Sequence, residues 1–372
     1  MESFLPSLLH ELAGRCKVLA DRLSNVNEPE LTAASVGAYT IVEQTRREVT
    51  QLLADPGLGS PTLLNNHLQL YSLLNQAAEF VEAFQLPFLT RFTDGDRRLT
   101  RLCSDLCNQI GVPGQYPLVA AFSDRYYWTI AALGLICAPC AEDSTLLRLP
   151  DLCHELGHII HARQPGLTLG FDSELTAYLA SEKRSIAANQ RPPAYGALYD
   201  QLEIQWRDRW LREFTADMIA TYISGPAFGW QHVRLCSANS GNTFRPVLGE
   251  TAEHPADDAR MRGILAVLSV MSLSAQSDEL EEMWTRYLTV GGVSKPAEYD
   301  VCYPAKLIAW LAAAVVAGCI GLGLRSYDAA LDPSKSVIAL MADAWAHLRT
   351  DPSTYSSWED QRLQELWSRL GV

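Results

Sequence analysis

The chain has 372 residues, 48% of them hydrophobic and 20% charged, and a formal net charge of -13. That composition supplies a large packed core and excludes a disordered chain. The acidic residues are spread along the whole length and no basic run exceeds short pairs such as Arg97-Arg98, which argues against nucleic acid as a partner.

Residues 1–112 read as a helical N-terminal region. Apolar residues recur at helical spacing in "FLPSLLHELAGRCKVLADRL", "ASVGAYTIVEQTRREVTQLL" and "LLNNHLQLYSLLNQAAEFVEAF", with breaks at "NVNEPE" and "ADPGLGSP". The first residues carry Glu2 and Glu11 and lack the basic start and apolar centre of a secretory signal, so a cytoplasmic location is expected. From "GVPGQYP" onward the runs "LVAAF", "RYYWTI" and "LGLICAP" predict a small sheet. The next stretch, "PDLCHELGHIIHAR" at 150–163, predicts a helix with Asp151 as N-cap and Pro165-Gly166 as its stop. A longer helical pattern follows from Tyr195 to Ser224 and ends at Gly225-Pro226.

These elements define a core region over 113–290, followed by a C-terminal helical region over 291–372 packed on it. The expected class is α+β, predominantly helical, with its small sheet ahead of the histidine-rich helix. The tail includes "LIAWLAAAVVAGCIGLGL", residues 307–324, which just reaches the length of about 18 residues needed to span a bilayer. Ala and Gly fill eight of its positions, so a buried helix is preferred to a single membrane anchor.

Nine cysteines include a CxxC (Cys137, Cys140) and a CxxxC (Cys103, Cys107), without the second pair that a zinc ribbon needs. The odd count favours free thiols in a reducing compartment.

Three of the eight histidines, His154, His158 and His161, fall within eight residues. On a helix His154 and His158 leave the same face one turn apart, a spacing that lets both grip one ion. Glu155 projects beside them, placed to take a proton from water at the metal. A control lies near the N-terminus, where "LLHELAG" repeats the triplet at His10 and Glu11 but has Gly14 in place of a second histidine.

A catalytic zinc usually takes three protein ligands. His161 lies two turns beyond His154 and reads as packing. The metzincin pattern fails, because it needs a glycine and a histidine where His161 and Gln164 stand. Glu174 and Glu213 compete for the third place, and only Glu213 has an acid four residues on, Asp217. That pair shares a helical face, so Glu213 is expected to bind zinc while Asp217 accepts the outer N–H of a ligating histidine.

HExxH followed by Glu-x-x-x-Asp on a later helix resembles the gluzincin zinc metallopeptidases. "EHPADDARMR" further resembles the His-Pro motif and following arginine of the CAAX-prenyl protease and heat-shock membrane protease branch. The resemblance covers about 150–262. It implies a gluzincin-like core with one catalytic Zn2+ on His154, His158 and Glu213, and Glu155 as general base. It also implies that His254 stabilises the transition state near the scissile carbonyl and that Arg260 orients Glu213 or the substrate. The several membrane helices of that branch have no counterpart here.

The expected activity is hydrolysis of an internal peptide bond by water that zinc and Glu155 activate, with a peptide or protein as substrate. "LGLICAP" is the expected edge strand for an extended peptide. Two other readings stay open: a gluzincin-shaped binding or scaffold protein without turnover, and a zinc hydrolase acting on a non-peptide amide. The flanking helical regions are large enough to bury the cleft or to receive a regulatory partner.

Overall fold

The computed structural model describes the chain apart from residues 1–4, 59, 124–125, 189, 194, 239–242, 250–252 and 293. The chain divides into two compact units, Met1–Arg97 and Arg98–Val372.

The first unit is helical. On α1 (Leu5–Leu23) the buried residues Leu5, Leu9, Leu12, Cys16, Leu19 and Leu23 alternate steps of four and three. On α2 (Thr32–Leu53), Ser35, Ala38, Val42, Thr45, Val49 and Leu52 do the same. Two such seams pack together along their length, and these two helices form the most extensive contact in the unit. Next come α3 (Leu64–Phe80), a π-helical stretch (Val81–Gln85) and the short α4 (Leu86–Leu89). The division between the units falls inside α5 (Asp94–Ile110).

The second unit opens with a three-stranded sheet: β1 (Leu118–Ser123), β2 (Trp128–Ile130) and β3 (Leu135–Pro139), in the order β1-β3-β2. β1 runs parallel to β3, with Leu118 opposite Leu135, while β2 runs antiparallel, with Trp128 opposite Cys137. This corrects one expectation. The strand nearest the histidine-rich helix, β3, is the central one, and over Leu135–Cys137 both of its edges are taken. A peptide has no free edge there.

Helices then dominate: α6 (Leu149–Arg163), α7 (Phe171–Ala187), α8 (Tyr195–Gln205), α9 (Leu211–Ser224), α10 (Pro226–Ala238), α11 (Asp257–Val270) and α12 (Ser274–Gly291). They are followed by α13 (Tyr299–Cys302), α14 (Ala305–Gly321), α15 (Val337–Thr350) and α16 (Tyr355–Leu370). The protein is thus predominantly helical with one small sheet, as its sequence pattern suggests.

Pro150 lies in the first turn of α6, where a missing N–H costs nothing. Asp151 is therefore inside the helix and does not cap it. Its carboxylate accepts a hydrogen bond from Gln231 Nε2 instead. The helix stops at Arg163, ahead of Pro165.

α8 and α9 are joined by a π-helical turn, Trp206–Trp210, so the long predicted helix carries one widened turn just before Glu213. Trp206 and Trp210 are buried there, with Trp206 stacked 5.1 Å from Phe214 and Trp210 4.6 Å from Tyr303. Gly225 ends α9 at φ 59°, ψ -137°, a conformation open to glycine and strained for other residues.

α9 is the axle of this unit, since every residue from Glu213 to Ser224 is buried. Its most extensive neighbour is α6. Gly157 makes their close approach possible, because a Cβ there would lie 2.8 Å from Ala216 O and 2.9 Å from Ala216 Cα. α14 covers α9 and α11 with a face of Leu307, Ile308, Leu311, Ala312, Val315, Val316 and Cys319. Tyr299–Gly321 is the one helical stretch among the described residues long and apolar enough to span a membrane.

Candidate metal centre

Burying Glu213 and Asp217 on the stretch of α9 where every residue is buried strips both carboxylates of water, so each needs a partner. The structure supplies them from three elements. α6 presents His154 and His158, the turn before α11 presents His254, and α11 itself presents Arg260.

His154 Nε2 and His158 Nε2 converge to 3.1 Å. Glu213 Oε2 lies 3.6 Å from His154 Nε2, and Glu213 Oε1 lies 3.4 Å from His158 Nε2. Around a tetrahedral ion with bonds of 2.0–2.1 Å, ligand atoms stand about 3.3 Å apart. The three contacts bracket that value, and two imidazoles with one carboxylate are the donors zinc accepts, so these residues fit a zinc ion.

Behind this triangle, Asp217 Oδ1 lies 2.8 Å from His154 Nδ1, close enough to accept from an Nδ1–H and leave Nε2 facing the triangle. Arg260 donates to Asp217 from both sides of its fork, Nε to Oδ2 and Nη2 to Oδ1, each at 2.7 Å. Arg260 therefore holds Asp217, and through it His154. The expected action on Glu213 is corrected. His254 is the side chain that touches Glu213, with Nδ1 at 2.8 Å from Oε2, and its ring is largely exposed.

The electrostatics are those of a site that wants a cation. Burial opposes charge on Asp217, yet Arg260 and His154 hold its carboxyl well below the usual range. Glu213 is likewise held down against burial by His154 and His254. Two carboxylates and one guanidinium leave a net negative charge. Burial disfavours the charged form of His154, but Asp217 and Glu213 outweigh this and push it up to about 10. His158 is pushed down to about 3 by burial and then by the charge on His154. Its lone pair is thus available.

Glu155 is buried next to His154, and burial, opposed by His154 and reinforced by Glu213, pushes its carboxyl up to about 7. It lines a cleft of about 620 Å3 whose wall also includes His154, His254, Phe228, Tyr127, Arg148 and Arg234. His161 stands apart, with its ring 3.4 Å from Thr168 Oγ1.

The sequence reading missed the far wall of this cleft. Glu142 has no exposed surface, accepts from Tyr127 Oη at 3.1 Å and pairs with Arg148 at 2.9 Å. No spacing links residues 127, 142 and 148 in a recognisable way. His232 and Cys236 also line the cleft, and their i, i+4 spacing in "HVRLC" was a legible signal.

No protein-family model matches the chain, and no curated protein or solved structure matches it either.

Proposed function

We propose that the protein is a zinc-dependent metallopeptidase of the gluzincin type that hydrolyses internal peptide bonds. The observation that carries this reading is the convergence of His154, His158 and Glu213 at the spacing of a tetrahedral site, beside a buried Glu155, with His154 and Glu155 both lining a cleft. When bound, a zinc ion supplies Lewis acidity to the attacking water and to the carbonyl oxygen of the substrate.

The side chains of the chain do the rest. Glu155 takes the proton from the attacking water and returns it to the leaving nitrogen. His254 is exposed to the cleft on one side and held by Glu213 on the other, so it can donate a hydrogen bond to the carbonyl oxygen as negative charge develops there. Asp217 and Arg260 keep His154 in the tautomer and orientation that point Nε2 at the ion.

The test uses purified full-length chain, zinc content by mass spectrometry and cleavage of a diverse peptide library. Glu155→Gln is expected to keep zinc while turnover falls by roughly 1000-fold, the usual worth of a general base. Glu213→Ala is expected to lose zinc from the site. Undiminished cleavage by Glu155→Gln would remove the general-base assignment, and absence of zinc from the supplied wild type would end the peptidase reading.

A further inference from the structure

A second set of ligand-type side chains lies in the same cleft and takes no part in the chemistry above. α10 carries His232 and Cys236 one turn apart on a buried face, and Asp257 opens α11. His232 is 2% exposed and Cys236 3%. One nitrogen, one sulfur and one carboxylate oxygen from the three residues all lie within 4.8 Å of one another. His232 Nε2 and Cys236 Sγ are 3.6 Å apart. A tetrahedral zinc ion, with bonds of about 2.0 Å to nitrogen and 2.3 Å to sulfur, sets those two atoms about 3.5 Å apart.

We propose that His232, Cys236 and Asp257 form a second zinc site, one that clips α10 to the start of α11. This goes beyond the peptidase reading and does not depend on it. A nitrogen, a thiolate and a carboxylate form a borderline-soft set that takes zinc in preference to magnesium or calcium. The clip closes the connection 237–256, and that connection carries His254 only three residues before Asp257. Fixing Asp257 against α10 therefore limits how far His254 can stray from Glu213. The role is structural: the three side chains would tie α10 to the start of α11 along the wall of the cleft.

The competing arrangement is a plain hydrogen-bonded cluster. In it the His232 ring pairs with the Asp257 main-chain carbonyl at 2.9 Å, and the Cys236 thiol, which burial holds well up in its protonated form, pairs with the Asp257 carboxylate. Zinc has to expel the thiol proton and replace both contacts. That demand separates the two arrangements, because only the clip contains a metal–sulfur bond.

The experiment loads the full-length chain with zinc for stoichiometry and, in parallel, with cobalt for spectroscopy. Chelator-treated samples compared by circular dichroism establish that each variant is folded. The wild type is expected to hold two equivalents, and both Cys236→Ser and His158→Ala one. The cobalt form should show thiolate-to-metal charge-transfer absorption in the wild type and in His158→Ala, and lose it in Cys236→Ser. The HExxH site offers no sulfur, so this band reports on the clip alone. One equivalent that follows Cys236 and ignores His158 would uphold the clip while sinking the catalytic site. A single equivalent that ignores Cys236, or a band that survives Cys236→Ser, would overturn the clip. So would a wild type that takes up no metal.

Discussion

His-Glu-Leu occurs twice in this chain, and the two copies meet opposite fates. On α1 the buried seam runs through Leu9 and Leu12, so His10 and Glu11 fall on the exposed side, and a Cβ on Gly14 would meet nothing within 4 Å. On α6 the triplet is buried: His154 is 7% and Glu155 6% exposed. There the glycine, Gly157, lies against the backbone of a second helix. One triplet is a solvated helix face and the other faces two buried carboxylates. A tripeptide therefore carries no chemistry by itself; what it faces decides.

The largest effect should come from removing what the second copy faces. Asp217 has no exposed surface and its carboxylate accepts from both donors of the Arg260 fork. Asp217→Asn takes from the buried guanidinium the carboxylate it is paired with, which costs about 3–5 kcal/mol. It also frees the His154 ring, and zinc affinity should fall by roughly 10–100-fold. Chemical denaturation and metal competition assays read the two effects separately. Wild-type affinity in this variant would detach Asp217 from the metal centre.

Gly157→Ala tests the close approach of α6 and α9. The added methyl would stand under 3 Å from the Ala216 backbone, so the helices must part, at a cost of about 1–3 kcal/mol. Because His154 and His158 are on one helix and Glu213 on the other, zinc binding should weaken along with stability. A stable variant with intact zinc binding would mean that the helices can give way without moving the ligands.

Glu142, on the cleft wall, should govern an effect that appears only as pH changes. Burial pushes its carboxyl from 4.5 up to about 7, against the opposing pull of Arg148. The folded chain therefore holds this proton more tightly than the unfolded chain. The resulting contribution to stability is complete below pH 4.5 and is lost as pH rises through 7. Glu142→Gln should remove that slope, a difference on the order of 3 kcal/mol between the ends of the window. Urea melts at both ends would read it, and an unchanged slope would assign the proton to another group.

At the exposed copy of the triplet, His10→Ala should change stability by less than about 0.5 kcal/mol, as surface substitutions do, and leave zinc content untouched. A measurable loss of zinc there would break the comparison on which these expectations rest.

Much of the architecture was legible because it depends on local periodicity. The α1 and α2 seams, the break at Pro165, the stop at Gly225 and the three β-prone runs ahead of α6 all follow from side-chain spacing and backbone restriction. The pairing of His154 with His158, and of Glu213 with Asp217, was legible for the same reason, since i and i+4 share a face on any helix. Strand order was not legible. Nothing local to "LGLICAP" says that β1 will pair along its other edge, because that parallel pairing skips over β2 and joins strands that are not consecutive in the chain.

The sequence by itself thus determined which residues can ligate an ion and on which helices they stand. Only the tertiary structure decided that α6 and α9 meet across Gly157, that Arg260 grips Asp217, and that His254 is the group beside Glu213. Periodicity orders the atoms of a single element. The distance between elements is set by how their buried faces fit, and a site made from three of them exists only once that fit is made.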